Sequence, residues 1–147
     1  IILCNSSPTD FFGITKNLVK VLYNKPVVLK EPIHKKTETN IAQLGAAKAV
    51  EAYKKMKADT AHYYVDWISM NFIAEQLLNL KRYEDARIIA DNNVAEFPDK
   101  DLVMFTTGNI YLALNRKEDA IRFYKKTLEL YPGYQEAKNK LKELEGK

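Results

Sequence analysis

The chain has 147 residues, with 23 lysine and arginine residues against 19 aspartate and glutamate residues, and a formal net charge of +4. This length predicts one domain, or one domain with a tail, that can bury a hydrophobic core. The sequence lacks the run of about 20 apolar residues that a membrane-spanning helix needs, so we expect no membrane span. Its single cysteine, Cys4, excludes an internal disulfide bond.

The positive charge is concentrated in residues 1–60, which contain ten lysines and five acidic residues. A basic region of this kind can favour binding to nucleic acid or to anionic lipid. Most of these lysines are isolated, and neither interleaved aromatic residues nor a nucleic-acid-binding motif accompanies them. A solvated basic face is therefore the favoured interpretation, and we expect no nucleic-acid partner. A basic helical protein that binds nucleic acid remains the alternative.

The first 26 residues predict a strand followed by a helix. Residues 1–4 form a short apolar run typical of a strand, and residues 5–10 are rich in turn-forming side chains. The helix should end before Lys25 and Pro26. Its apolar residues recur at helical spacing: Phe12, Ile14, Leu18, Val21 and Leu22. An isolated strand leaves backbone groups unpaired, so we expect residues 1–4 to join an upstream sheet or to pair with a second copy of the chain as a homodimer.

Residues 27–37 contain Pro32 and predict an extended linker. Thr37 or Thr39 is predicted to cap the next helix. The buried face of that helix is predicted to hold the following residues: Ile41, Leu44, Ala49, Tyr53 and Met56. Residues 46–57 are also interpreted as the second helix of a degenerate early repeat, because an alanine and a tyrosine there are spaced as in residues 120–124.

Residues 67–134 contain an internal repeat, because Pro98 and Pro132 and the residues before them match at an offset of 34 residues. Seven further identical pairs share this offset: Met70/Met104, Leu78/Leu112, Leu80/Leu114, Arg82/Arg116, Glu84/Glu118, Asp85/Asp119 and Ala86/Ala120. The buried face of the first helix is predicted to contain Ile68, Phe72, Ile73, Leu77 and Leu80. This period predicts an all-α array of helical hairpins, with repeats at about 67–100 and 101–134 and a capping helix at 135–145.

These two units resemble tetratricopeptide repeats. The second unit matches the motif at five positions: Gly108, Tyr111, Ala120, Tyr124 and Pro132. The first unit is more degenerate and keeps Ala86 and Pro98. The resemblance implies a tetratricopeptide-like superhelix over residues 38–147, preceded by a short strand–helix extension. It also implies that the chain binds a protein or peptide as a scaffold rather than catalysing a reaction.

Residues 1–26 resemble the end of a serine β-lactamase-like, or penicillin-binding-protein-like, hydrolase domain. In that family a late strand and a Ser/Asn turn lead into a C-terminal helix that often closes with a Gly-Lys-Pro-like element. Here Asn24 stands where glycine is common, before Lys25 and Pro26. The resemblance implies that the catalytic domain lies upstream, could itself pack on the repeats, and works in the periplasm or another extracytoplasmic space. The motifs Ser-x-x-Lys, Tyr-x-Asn and Lys-Thr-Gly are absent here, so no catalytic residue is assigned and this chain is not expected to be an enzyme.

In the tetratricopeptide family, the first helix of each hairpin lines a concave groove. The residues at the matching positions are Asn71, Glu75, Leu78 and Asn79, then Phe105, Asn109, Leu112 and Ala113. Only Asn109 resembles part of the clamp with which one subclass grips a C-terminal carboxylate, and Glu75 would repel such a group. We expect the groove to hold an extended or helical peptide, or to be filled by the chain's own linker or the upstream domain.

Other chemistry receives no support from the sequence. His34 and His62 have no cysteine or histidine at ligand spacing, so no metal site is expected. The five glycines are scattered and form no phosphate-binding pattern, so no cofactor is expected. Three functions remain: a scaffold domain at the C-terminus of a β-lactamase-like hydrolase, a free-standing repeat adaptor that binds a peptide, or a basic helical protein that binds nucleic acid.

Overall fold

The computed structural model describes residues 30–146. The predicted strand at residues 1–4, the predicted helix that follows it and the hydrolase-like segment 1–26 lie outside these residues. The described part contains two short strands and seven helices: β1 (Glu31–Pro32), α1 (Ile33–Leu44), α2 (Ala46–Ala58), β2 (Tyr63–Tyr64), α3 (Trp67–Asn79), α4 (Tyr83–Glu96), α5 (Asp101–Ala113), α6 (Lys117–Leu130) and α7 (Gln135–Glu145). None of these helices is long and apolar enough to cross a membrane.

The helices form three successive hairpins, α1–α2, α3–α4 and α5–α6, and α7 packs on the last of them. The first helices α1, α3 and α5 lie side by side, and α2 packs against α4 in the second layer. A hairpin alone leaves an apolar face in water, and stacking buries that face against the next unit. The all-α array of helical hairpins that the 34-residue period predicts is therefore confirmed.

Two apolar clusters stabilise this stack. The larger one joins α1 to α4 and includes the fully buried Tyr53 and Ile89. The smaller one joins α5, α6 and α7 through these residues: Tyr111, Ala120, Tyr124, Ala137 and Leu141. Gly108 allows α5 and α6 to approach closely, because a Cβ atom at this position would lie 2.7 Å from the ring of Tyr124. The small residues of the repeat therefore set the distance between the paired helices.

The turn of the second hairpin is copied in the third. Lys81 and Asn115, 34 residues apart, both adopt left-handed backbone conformations, with φ angles of 58° and 57°. The backbone N–H of Arg82 donates to the carbonyl of Leu77, and that of Arg116 donates to the carbonyl of Tyr111, each at 2.9 Å. This bond to a carbonyl five residues earlier closes each helix in a Schellman motif. The guanidinium groups of Arg82 and Arg116 then bind the carboxylates of Asp85 and Asp119 in the first turn of the following helix.

The first hairpin differs from the sequence prediction at its start. Helix α1 begins at Ile33, inside the segment predicted as linker, and Pro32 occupies the N-cap position. Thr37 and Thr39 lie inside the helix, where each hydroxyl donates to the carbonyl four residues earlier at 3.1 Å. The predicted threonine cap was therefore wrong. The physical reason is that Pro32 is compatible with a helix start, and the buried Ile33 anchors that start in the core.

The single helix predicted over residues 37–56 is divided in two. Gly45, with φ of 84°, separates α1 from α2, and this conformation suits a residue without a Cβ atom. Ile41, Ala49 and Tyr53 are buried as predicted, but Leu44 is exposed at the end of α1. Residues 46–57 fall within α2, so they form the second helix of an early hairpin, as the alanine–tyrosine spacing indicates.

The start of α1 is held by a short parallel pairing of β1 with β2. The backbone N–H of Glu31 donates to the carbonyl of His62 at 2.7 Å. This bond ties the first described residues to the loop between α2 and α3. The position at which the chain enters α1 is therefore fixed relative to the second hairpin.

Candidate functional site

The predicted groove residues lie on α3 and α5, which are neighbours in the layer of first helices. Asn71 is 3% exposed and uses its amide inside the fold. It donates to Oε1 of Glu75 at 3.2 Å and to Oγ1 of Thr106 at 3.0 Å. Thr106 in turn donates to the same oxygen of Glu75 at 2.9 Å. This network joins α3 to α5, so the structure places Asn71 between the helices and Glu75 at their partly exposed edge.

Two of the predicted groove residues contribute to the cores. Leu78 is half-buried against the larger apolar cluster, and Leu112 is half-buried against the smaller one. Asn79 is exposed as the last residue of α3. Of these three residues, Asn79 is the exposed one.

Asn109 is partly buried and has a structural partner. Its Oδ1 accepts a hydrogen bond of 2.8 Å from the hydroxyl of Tyr124 on α6. The amide nitrogen of Asn109 forms no hydrogen bond within residues 30–146, so it can still donate to a ligand. Within residues 30–146, Tyr124 therefore binds the oxygen of this amide, and its nitrogen has no hydrogen-bond partner.

Aromatic rings lie next to one another on α5 and in the loop before α7. Phe105 is half-buried, and its ring stacks on that of Tyr134 with 4.7 Å between centroids and 30° between planes. Tyr134 also meets the exposed Tyr131 edge-on at 6.1 Å. Tyr134, which lies in the loop before α7, was not among the predicted groove residues. The sequence signal for this residue was an aromatic side chain between Pro132 and the predicted capping helix. Its contact with Phe105 could not be predicted, because that contact depends on how the helices pack.

The charge around Tyr134 is negative. Burial raises the pKa of the Tyr134 hydroxyl, and the carboxylates of Glu136, Asp101 and Glu75 raise it further. These carboxylates come from α7, α5 and α3, so the three helices bring acidic groups to one region. We use the name α3–α5 surface for the set of residues that the proposal below considers, on α3, α5 and the loop before α7: Glu75, Asn79, Phe105, Asn109 and Tyr134.

A second concave feature lies between α1 and α3. This opening of about 360 Å³ is lined by Glu38, Ile41, Ala42, Phe72, Ile73, Gln76, Leu77 and Arg82. We call it the α1–α3 cleft. Phe72 was predicted to lie on the buried face of its helix together with Ile68 and Leu80. These three side chains are between 43% and 66% exposed, so that part of the prediction was wrong. Ile73 and Leu77 are buried as predicted.

Metal ligation finds no support in the described part of the chain, where no group of three or more His, Cys, Asp or Glu side chains is arranged to hold an ion. His62 instead lies beside the carboxylate of Asp59, at 2.8 Å. The arrangement of residues 30–146 offers amides, carboxylates and aromatic rings, which are groups that recognise a ligand by contact.

Comparison with known proteins agrees with this architecture. The sequence profile of the Tetratricopeptide repeat family matches residues 102–134. Over 98 residues the chain is 31% identical to Tetratricopeptide repeat protein 17 of Homo sapiens and to that of Mus musculus. The protein of the same name in Danio rerio is 26% identical over 98 residues.

The aligned part is 67% of this chain and 8% of each of these relatives, so the chain spans a small fraction of their length. The match to residues 102–134 covers α5, α6 and the turn that leads to α7. The stacked hairpins, the repeated turn and these similarities together show that the chain contains a tetratricopeptide-like helical-repeat region.

Proposed function

We propose that this chain is a protein-interaction scaffold that binds a peptide segment of a partner along the α3–α5 surface. The observation that supports the proposal is the side-by-side placement of α3 and α5, where Thr106 of α5 donates a hydrogen bond to Glu75 of α3. Repeat arrays of this kind form extended concave surfaces from such neighbouring helices. The tetratricopeptide match of residues 102–134 supports binding rather than catalysis.

The chemistry of this surface favours a segment without a free carboxylate. Glu75, Asp101 and Glu136 place negative charge near Tyr134, and like charges brought together across an interface oppose binding. The stacked rings of Phe105 and Tyr134 offer an apolar contact beside these charges. A neutral or basic peptide, extended or helical, therefore fits better than a C-terminal carboxylate.

A hydrolase parent is not supported by the comparisons, because the relatives reported above are tetratricopeptide repeat proteins. The resemblance to a β-lactamase-like domain rests on residues 1–26, which lie outside the described residues. Pairing of two chains through residues 1–4 stays a prediction for the same reason. We therefore propose an adaptor that acts by binding, and we transfer no activity from the relatives, of which the chain covers only 8%.

Selection from a library of short random peptides tests this proposal. Peptides that bind the full chain would be labelled, and their dissociation constants measured by fluorescence anisotropy. We expect Glu75→Gln and Asn79→Ala to weaken the selected peptides by about 3-fold to 10-fold, the loss of one polar or charged contact. The matched control is Glu84→Gln on α4, where the carboxylate pairs with Arg87 and lies outside the α3–α5 surface.

The variants should keep the thermal stability of the original chain. Asn79 is exposed, and the amide introduced by Glu75→Gln would retain an oxygen that accepts from Asn71 and Thr106. Selected peptides that bind Glu75→Gln and Asn79→Ala as tightly as they bind the original chain would place the site elsewhere. A selection that yields no binder, although the chain is folded, would count against a peptide-binding scaffold.

A further inference from the structure

The hairpin α5–α6 shows how a pair of aromatic rings in this fold holds cations. The rings of Tyr111 and Phe123 stack with 5.2 Å between centroids and 28° between planes. The guanidinium carbon of Arg116 lies 4.7 Å from the centroid of Tyr111, and that of Arg122 lies 5.1 Å from the centroid of Phe123. The carboxylate of Asp119 pairs with both arginines, at 2.6 Å and 3.0 Å. This ring pair is therefore covered by cations of the chain itself, with a carboxylate as their counter-charge.

The ring pair of Phe105 and Tyr134 has a similar geometry without such a cation. Its centroids are 4.7 Å apart, and its planes meet at 30°. Within residues 30–146, no lysine or arginine group lies over either of these rings. At the end of the preceding unit, the place of Tyr134, 34 residues earlier, is taken by Lys100, whose amine pairs with Asp99 at 2.7 Å. The last junction of the array therefore has an aromatic ring where the preceding junction has a lysine.

A tight turn holds a second tyrosine beside this pair. The backbone N–H of Tyr134 donates to the carbonyl of Tyr131 at 3.1 Å, which closes a turn with Pro132 and Gly133 at its centre. The two tyrosine rings meet edge-on at 6.1 Å, and Tyr131 is 54% exposed. The ring of Phe105 is also packed against α6. The rings that a ligand can reach are therefore those of the two tyrosines.

The charge beside these rings is negative. Asp101 lies one helical turn before Phe105 on α5, and Glu136 lies in the first turn of α7. Glu75 accepts a hydrogen bond of 2.9 Å from the residue after Phe105. None of these three carboxylates forms an ion pair with a Lys, Arg or His side chain within residues 30–146. Burial raises the pKa of the Tyr134 hydroxyl, and all three carboxylates raise it further, so they act on the same ring. Charge complementarity therefore favours a cation at this place.

We propose that the rings of Tyr131 and Tyr134 receive the guanidinium group of an arginine from the bound partner, with the surrounding carboxylates as its counter-charges. This inference rests on the proposed function, because it specifies one residue type of the peptide that binds the α3–α5 surface. A guanidinium group is planar and stacks on aromatic rings, whereas a lysine amine is a compact and strongly hydrated charge. The partner thus supplies the kind of cation that Arg116 and Arg122 supply to the other ring pair.

Three short peptides test the proposal: tetra-arginine, tetra-lysine and tetra-citrulline, each acetylated at its N-terminus and amidated at its C-terminus. Citrulline has the shape of arginine without its charge. Each peptide would be titrated into the full chain labelled with ¹⁵N, and the amide signals of residues 131–136 followed by NMR. We expect tetra-arginine to bind at least about 3-fold more tightly than tetra-lysine, and tetra-lysine more tightly than tetra-citrulline. The formal net charge of the chain is +4, so net charge alone would repel a polycation.

Equal affinity for tetra-arginine and tetra-lysine would indicate attraction to charge without stacking, and would overturn the proposal. An equal response to tetra-citrulline, or no saturable change at residues 131–136, would overturn it as well. These results leave the proposed function to the peptide selection, so the two failures are distinguishable. Selected peptides that contain no arginine and still depend on Glu75 and Asn79 would support the function and contradict this arginine seat.

Variants of two exposed residues separate the ring and the charge from the fold. Tyr131→Leu should leave thermal unfolding unchanged and remove the preference for arginine over lysine, whereas Tyr131→Phe keeps an aromatic ring and should keep that preference. Glu136→Gln should weaken tetra-arginine by about 2-fold to 5-fold, the loss of one exposed charge contact. The matched control is Glu129→Gln on α6, where the exposed carboxylate pairs with Lys126 at 2.8 Å. Equal binding by Tyr131→Leu and Tyr131→Phe, or equal effects of Glu136→Gln and Glu129→Gln, would contradict the proposal.

Discussion

The hydroxyl of Tyr124 donates a hydrogen bond of 2.8 Å to Oδ1 of Asn109, and this bond ties α6 to the helix that carries the candidate surface. The tyrosine ring lies against Gly108, the residue before Asn109. Asn109 is therefore both a structural residue of the hairpin and a member of the α3–α5 surface. A loss of binding on its mutation has to be separated from a loss of packing.

The first prediction compares Tyr124→Phe with Tyr53→Phe. Tyr53 has the corresponding place on α2 and is fully buried, but its hydroxyl has no hydrogen-bond partner in the described structure. We expect Tyr124→Phe to lower the free energy of unfolding by about 0.5–1.5 kcal/mol, since one hydrogen bond is lost. We expect Tyr53→Phe to leave the free energy of unfolding unchanged or to raise it, because it removes a hydroxyl that is buried without a hydrogen-bond partner. Urea unfolding measures both, and equal destabilisation would contradict the assignment.

The second prediction concerns alkaline pH. Burial raises the pKa of the Tyr53 and Tyr124 hydroxyls to about 12 in the folded chain, and Glu96 and Glu143 respectively add to the rise. The unfolded chain releases these protons near pH 10, so above about pH 10 it binds fewer protons than the folded chain. The contribution of these two tyrosines to the free energy of unfolding is thus fully present below about pH 10. It falls as the pH rises towards 12, by at most about 1.4 kcal/mol per pH unit for each tyrosine.

Urea unfolding between about pH 9 and pH 11.5 measures this dependence. The chain contains nine tyrosines, so the control is the same series on Tyr53→Phe. We expect the free energy of unfolding to fall less steeply in that variant, because one of the two buried hydroxyls is gone. An unchanged slope would show that Tyr53 does not titrate with a raised pKa.

The hairpin array could be predicted from the sequence because its determinants are local and periodic. Gly108, Ala120 and Tyr124 lie at fixed distances along the chain, and each sets how closely two adjacent helices pack. The prediction of a single helix failed at the break between α1 and α2 because the apolar spacing continues across it, whereas the alanine–tyrosine spacing indicated a separate second helix over residues 46–57. The glycine at position 45 was the available signal, since its backbone angle ends one helix and starts the next without a loop.

The candidate surface was less predictable because its polar groups are used by distant partners. Asn71 binds Thr106, which is 35 residues away, and Asn109 binds Tyr124 on another helix. Helical spacing indicates which side of α3 carries Asn71, but not whether a neighbouring helix covers it. The exposure of Phe72 has the same origin, because it depends on how closely α1 approaches α3.

The third prediction tests the close approach of α5 and α6. A Cβ atom at Gly108 would lie 2.7 Å and 2.8 Å from two ring carbons of Tyr124, which is fully buried and cannot move aside. We expect Gly108→Ala to destabilise the chain by about 1–3 kcal/mol through overpacking. The control is Gly133→Ala, where the nearest atoms belong to the exposed ring of Tyr131 at 3.0 Å and can shift. Thermal unfolding measures both changes, and similar losses would contradict this packing.

The fourth prediction separates structure from binding at α3. Asn71→Ala removes the donor that Thr106 and Glu75 share between α3 and α5, so we expect a loss of about 1–3 kcal/mol in the free energy of unfolding. Asn79→Ala changes an exposed side chain of the same helix and should stay within about 0.5 kcal/mol. Chemical denaturation and peptide affinity would be measured on both variants. Asn71→Ala should weaken stability and affinity together, because the spacing of the two helices changes, whereas Asn79→Ala should weaken affinity alone. An Asn71→Ala chain as stable as the original would show that the buried network does not hold α3 and α5 together.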